Sequence, residues 1–165
     1  MGGRIHPGER DGGPPAARRS RRRPEPDSGG RDDRGHACPA GSPVDLAGPV
    51  DVWLCVSSTA PSTDIFTKLF DVAPDGTTRM IVRGQGRLTD TSGGAVVRIE
   101  MGHTGYRVRP GYRLRLNLAS SDYPEFLPHP GTAESPWLAT ETKPSTQTLI
   151  TRPGLRASIT MSVLG

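Results

Sequence analysis

No window of ten residues in this chain sustains a helical period. The apolar residues instead recur at intervals of two in short runs cut by Gly, Pro, Asp and Ser. The clearest run is Val50, Val52, Leu54 and Val56, alternating with Asp51, Trp53, Cys55 and Ser57. A period of two places one set of side chains on each face of an extended strand. After the break SSTAPST, Ile65–Val72 gives a second extended run, Pro74-Asp75-Gly76 a turn, and Thr77–Gly84 a third run. Proline presets φ at such a turn, aspartate accepts from nearby backbone, and glycine supplies positive φ, so the sequence reads as a hairpin. Further strands are expected at Gly86–Thr89, Ala95–Met101, Tyr106–Arg109, Tyr112–Ser120, Gln147–Arg152 and Leu155–Val163. Gly84-Gln85-Gly86 reads as a turn and Gly102–Gly105 as a bend. Many short strands, polar on one face, predict an all-β fold: an antiparallel sandwich or jelly roll.

Composition divides the chain. Residues 1–43 contain no Phe, Trp or Tyr, and their nine Arg against six acidic residues supply three of the four net positive charges. Such a segment has too little apolar surface to offset the entropy of ordering it, so residues 1–43 are expected to be a disordered tail and residues 44–165 the domain. The Arg18–Arg23 cluster has no aromatic residue interleaved to stack on bases. It reads as a solvated charge run, and nucleic acid is not an expected partner. The bias towards Arg, Gly, Pro and Ala, all encoded by G/C-rich codons, also suggests a misassigned start or an out-of-frame remnant.

No apolar run reaches the ~18–20 residues of a membrane span, and no hydrophobic signal core is present at the N-terminus. The expectation is a cytoplasmic protein with no membrane association. Of the two cysteines, Cys38 and Cys55, the second reads as a small apolar strand residue. The four histidines, His6, His36, His103 and His129, show no zinc-ligand spacing with Cys or carboxylates, so no metal or cofactor is expected. No G-x-S-x-G pentapeptide occurs. Ser57, Asp64 and His103 make a triad only on paper, since each has a simpler role at a strand end, a strand start or a bend. Hence no residue is assigned to catalysis. The connection 121–145 is long and Pro-rich; Tyr123, Phe126, Leu127, Trp137 and Leu138 are expected to pack it as a loop sealing one end of the sandwich. The residues expected to meet a ligand or a neighbouring domain are Trp53, Tyr123 and Trp137.

Three separated runs resemble a known family in their order. They are D-I-F-T-K-L-F-D-V-A-P-D-G from Asp64 to Gly76, G-Y-R-L-R-L from Gly111 to Leu116, and S-S-D-Y-P from Ser120 to Pro124. Together they resemble the C-terminal β domain of the Xaa-Pro dipeptidyl-peptidase and CocE/NonD serine hydrolases, over about 44–163. Two departures stand out: Tyr112 replaces a usual histidine, and His129 falls where asparagine is common. The resemblance implies a galactose-binding-like jelly roll. It also implies a partner, an α/β-hydrolase domain carrying the catalytic Ser, Asp and His, whose place before residue 44 is taken here by the tail. The strand that would open the β domain before Val44 is hard to find. The resemblance thus makes the chain an accessory domain, a fragment inert on its own, of an enzyme that hydrolyses esters or amides or releases Xaa-Pro dipeptides. The competing expectation is a free-standing carbohydrate- or ligand-binding jelly roll.

Overall fold

The computed structural model describes residues 36–37, 42–90, 92–152 and 157–164. Among them are eight strands and no helix: β1 (His36–Ala37), β2 (Val44–Ser58), β3 (Ser62–Val72), β4 (Thr78–Thr89), β5 (Ala95–Val108), β6 (Arg113–Ala119), β7 (Gln147–Leu149) and β8 (Ser158–Leu164). They form two antiparallel sheets, ordered β1-β6-β3-β4 and β5-β2-β7, with β8 also paired to β2. β8 pairs along Asp45–Trp53 and β7 along Val56–Ser58, so the two lie end to end on one side of β2 while β5 holds the other. The Arg cluster Arg18–Arg23, Cys38 and the rest of the expected tail lie outside the described residues, apart from His36, Ala37, Ser42 and Pro43. The opening strand that was hard to find is His36–Ala37, two residues long and paired with Leu114 and Arg113 of β6.

The alternation expected for β2 holds. Val50, Val52, Leu54 and Val56 are all buried, and they meet Ile65 and Leu69 of β3, Leu88 of β4, and Ile99 and Met101 of β5 in one core between the sheets. Each fully buried aliphatic side chain contributes roughly 1.5–3 kcal/mol relative to exposure, which makes β2 and β3 the stable centre of the fold. Cys55 is buried with a free thiol, as its strand position suggested. The PDG hairpin also forms. Gly76 N–H donates to Ala73 O, Gly76 has φ of 86°, and Thr77 N–H donates to Asp75 Oδ1 at 2.8 Å.

Two expectations are corrected. Gly84-Gln85-Gly86 is no turn but the middle of β4, in continuous register with Thr67, Phe66 and Ile65 of β3. Gly84 and Gly86 occupy the inward positions opposite Thr67 and Ile65, and the other sheet fills the space. A Cβ on Gly84 would lie 2.9 Å from Met101 Cα and from Glu100 O, and one on Gly86 would lie 3.3 Å from Ile99 Cγ1. The glycines let β4 and β5 approach until the sandwich closes along that side. Likewise the runs expected at Ala95–Met101 and Tyr106–Arg109 fall on one strand, β5, which is carried through the expected bend by a bulge and ends at Val108. Glu100 pairs with Asp51 and His103 with Pro49, and Gly102 takes φ of 90° inside the offset.

Among the described residues the opposite side of the sandwich stays open. There one sheet ends in β6 and β1 and the other in β7 and β8. The inward residues Leu114, Leu116, Ile159 and Met161 pack on the core but are only half-buried.

Candidate functional site

The outer face of the β3–β4 hairpin carries a dense set of polar contacts. Alternation sends Ile65, Thr67 and Leu69 inward and leaves Asp64, Phe66 and Lys68 outward. The register sets Asp64 opposite Arg87, Phe66 opposite Gln85 and Lys68 opposite Arg83. Arg87 grips Asp64 with a two-point contact, Nε to Oδ1 at 2.8 Å and Nη2 to Oδ2 at 3.1 Å. This planar pairing raises the Arg87 pKa above its ordinary value.

A turn from the long connection is clamped across this face. Phe126 N–H and Glu125 N–H both donate to Asp122 O, which folds DYPEF into a compact unit. Three side chains then reach down to the hairpin. Asp122 accepts from Lys68 Nζ at 2.5 Å, and Glu125 pairs with Arg83. Phe126 packs on Phe66 with ring centroids 5.1 Å apart while Arg83 lies over the same ring at 5.7 Å. The first part of the expected loop is therefore a strap over a sheet face, while its later part meets the β2–β3 turn at the end of the sandwich, where His129 contacts Ser62 and Thr59 N–H donates to Thr146 O. Of the five residues expected to pack it, only Phe126 does so. Tyr123, Leu127, Trp137 and Leu138 are all exposed, Trp137 to 81%. The clamp itself uses one aromatic anchor and two ion pairs, and the remaining apolar side chains stay largely in solvent.

Between hairpin and strap lies a cavity of about 350 Å³, floored by Asp64, Gln85 and Arg87 and walled by Phe126, Leu127, Pro136 and Trp137. Of the three residues singled out from sequence, Trp137 lines it and Tyr123 does not. Trp53 stands on the outward face of β2 in the other sheet, 41% exposed, with Arg98 over its ring at 5.9 Å and Asp51 holding that arginine. The three aromatics do not form one platform.

A Ser–His contact sits at the base of the strap. Ser62 Oγ and His129 Nε2 are 3.2 Å apart, and Gly131 N–H donates to His129 Nδ1 at 3.1 Å. Because Nδ1 accepts, the ring proton of the neutral imidazole sits on Nε2 and is donated to Ser62. Burial holds the His129 pKa below its ordinary value, with Asp64 raising it and Arg87 lowering it, so the neutral form prevails at neutral pH. An imidazole that donates to serine cannot take its proton, so this contact ties the strap rather than activating a nucleophile. The paper triad does not assemble either. Asp64 is bound to Arg87 on one sheet, while in the other Ser57 is opposite Thr148 and His103 opposite Pro49. Among the described residues no cluster of three or more His, Cys, Asp or Glu is placed to hold a metal, and no helix is long and apolar enough to cross a membrane.

The comparisons agree with this architecture. Residues 36–160 match the X-Pro dipeptidyl-peptidase C-terminal non-catalytic domain. The cocaine esterase of Rhodococcus sp. (strain MB1 Bresler) is 34% identical along an alignment of 95 residues that covers 51% of this chain and 17% of the esterase. Among solved structures, an aminopeptidase from the marine sediment archaeon Thaumarchaeota archaeon aligns over 75% of this chain and 24% of its own, with a TM-score of 0.68 at 19% identity. A CocE/NonD family hydrolase from Staphylococcus aureus aligns over 74% and 29%, with a TM-score of 0.53 at 13% identity. The chain thus spans less than a third of the length of each of these relatives, and the two structures show the fold. With most of the chain matched across its two-sheet body, the protein belongs to the X-Pro dipeptidyl-peptidase C-terminal non-catalytic domain family.

Proposed function

We propose that this chain serves as the accessory β domain of a CocE/NonD-type serine hydrolase and docks on a separate α/β-hydrolase domain that carries the nucleophile, base and oxyanion donors. The observation that carries this reading is the open flank. β4 and β5 close one side of the sandwich, but at β6 and β8 the inward side chains stay half-buried. Leu118, Val163 and Leu164 are 38%, 59% and 62% exposed on the same two strands. A flank with partly covered core residues and exposed aliphatics is the kind of surface that a partner domain covers. The matched hydrolases are more than three times this chain's matched length, which supplies a partner of suitable size.

In this reading the sandwich is a galactose-binding-like jelly roll, and the strand order with β2 and β3 central is compatible with it. The intact enzyme hydrolyses acyl esters or amides, or releases Xaa-Pro dipeptides. A cytoplasmic setting, expected from the sequence, belongs to the same reading.

The test has two arms. The purified chain is expected to give no turnover of Xaa-Pro anilides or simple acyl esters, and turnover abolished by a serine-directed inhibitor overturns the non-catalytic assignment. In the second arm the neighbouring coding sequence is searched for a G-x-S-x-G hydrolase frame, and the chain is co-produced with the hydrolase so found. Co-purification that is lost in Leu118→Glu and Val163→Glu, with unchanged melting of the isolated variants, supports docking at this flank. Binding indifferent to both changes overturns it.

A further inference from the structure

The cavity between hairpin and strap is not used by the docking reading, which concerns β6 and β8. Its floor is the Asp64–Arg87 pair together with the Gln85 amide. Arg87 commits Nε and Nη2 to Asp64, and among the described residues neither its Nη1 nor the Gln85 side chain has a hydrogen-bond partner. The floor therefore offers donors and acceptors side by side with the charges of Asp64 and Arg87 cancelling. One wall is Trp137, an indole 81% exposed to solvent yet held on an ordered turn. Leu138 N–H and Ala139 N–H donate to Ser135 O at 3.0 Å, and Trp137 N–H donates to Ser135 Oγ.

These features select a ligand by chemistry. An ion would find no net charge to oppose. A purely aliphatic group would strip water from Arg87 and Gln85 and return no hydrogen bonds, at a cost in binding. A ring that is apolar on its C–H face and bears hydroxyls at its edge satisfies both surfaces, because each hydroxyl both donates and accepts. It can stack on Trp137 while its edge reaches the Asp64, Gln85 and Arg87 groups. A volume of about 350 Å³ lies at the small end of ligand pockets, which run from ~300 to ~1,000 Å³. We propose that this cavity is a binding site for a neutral carbohydrate, one or two sugar rings in size, stacked on Trp137 and hydrogen-bonded by Asp64, Gln85 and Arg87.

The chain has two tryptophans, so Trp53→Phe leaves Trp137 as the only indole reporter. The 165-residue chain carrying that change is titrated with methyl glycosides of glucose, galactose, mannose, xylose and N-acetylglucosamine, with their linear trisaccharides, and with glucuronate as a charged control. Trp137 emission and isothermal titration are read together. The expected result is saturable binding of at least one neutral sugar, with glucuronate at least tenfold weaker. In the wild-type background, Trp137→Ala is expected to weaken calorimetric binding about tenfold, which is about 1.4 kcal/mol, and Gln85→Ala to weaken it severalfold. Both side chains are exposed, and matched melting curves establish that the variants are folded. Absence of saturable binding across the panel at millimolar concentration overturns the proposal. So does binding that neither substitution changes, or equal binding of glucuronate. None of these outcomes bears on docking at β6 and β8, so the two readings fail separately.

Discussion

Gly84 of β4 lies directly against the backbone of β5, where an added Cβ would stand 2.9 Å from Met101 Cα. The contact is with main chain, which cannot swing aside. Gly84→Ala is expected to destabilise the domain by roughly 1–3 kcal/mol, as overpacking does in cores. Gly86→Ala should cost less, because its neighbour at 3.3 Å is the movable Ile99 side chain. Gly93→Ala, with nothing within 4 Å, serves as control. Urea unfolding of the three variants checks the order, and a Gly84→Ala midpoint equal to that of Gly93→Ala would contradict the close approach.

Asp71 is buried at 4% exposure and accepts from Tyr106 Oη at 2.8 Å, a link from β3 to β5 across the sandwich. Its Oδ1 has no partner among the described residues. Burial, followed by the bond to Asp71, raises the Tyr106 pKa. Tyr106→Phe removes the donor held to that carboxylate and is expected to cost about 1–3 kcal/mol. Adding Asp71→Asn, which removes the charge, should recover part of the loss. A double-mutant cycle by chemical denaturation measures the coupling, and a coupling energy of zero would refute the link.

Phe126 is the one aromatic anchor of the strap. Phe126→Ala loses the Phe66 stacking, worth about 0.5–1.5 kcal/mol beyond area burial, and leaves the Lys68–Asp122 and Arg83–Glu125 pairs to hold the turn. Limited proteolysis should then cut within 121–146 well before global unfolding. A cleavage pattern and rate identical to wild type would show that the ion pairs suffice.

His129 has a folded-state pKa below the ordinary 6.5, chiefly through burial. The unfolded chain then binds the proton more readily, so stability must rise with pH between the two values. The contribution is full above 6.5 and is lost as pH falls through the folded-state value. Protonation would also place a hydrogen on Nδ1 facing Gly131 N–H, breaking the tie to the strap. Wild type is expected to lose stability between pH 7 and pH 5 by more than His129→Gln does. Parallel urea titrations check this, and equal losses would remove His129 as the cause.

Much of the fold was legible because strand patterning is local. The period of two in Val50–Val56, the turn chemistry of Pro74-Asp75-Gly76 and the absence of helical periodicity determined an all-β chain with β2 at its centre. The runs Asp64–Gly76, Gly111–Leu116 and Ser120–Pro124 were enough to place it beside its family. What sequence could not supply was which strands face each other. Gly84-Gln85-Gly86 looks like a turn in any local reading, since only the arrival of Met101 and Ile99 from another sheet gives those glycines a reason to be extended. The same holds for the cavity. Asp64 and Arg87 are 23 positions apart, and Phe126 reaches Phe66 over 60 positions along the chain, so only hairpin register and the clamped strap bring them together. Trp137 could be named from its residue type alone, but its place beside a polar floor was decided by tertiary structure, because a site is set by distances between segments and a sequence records only order along one.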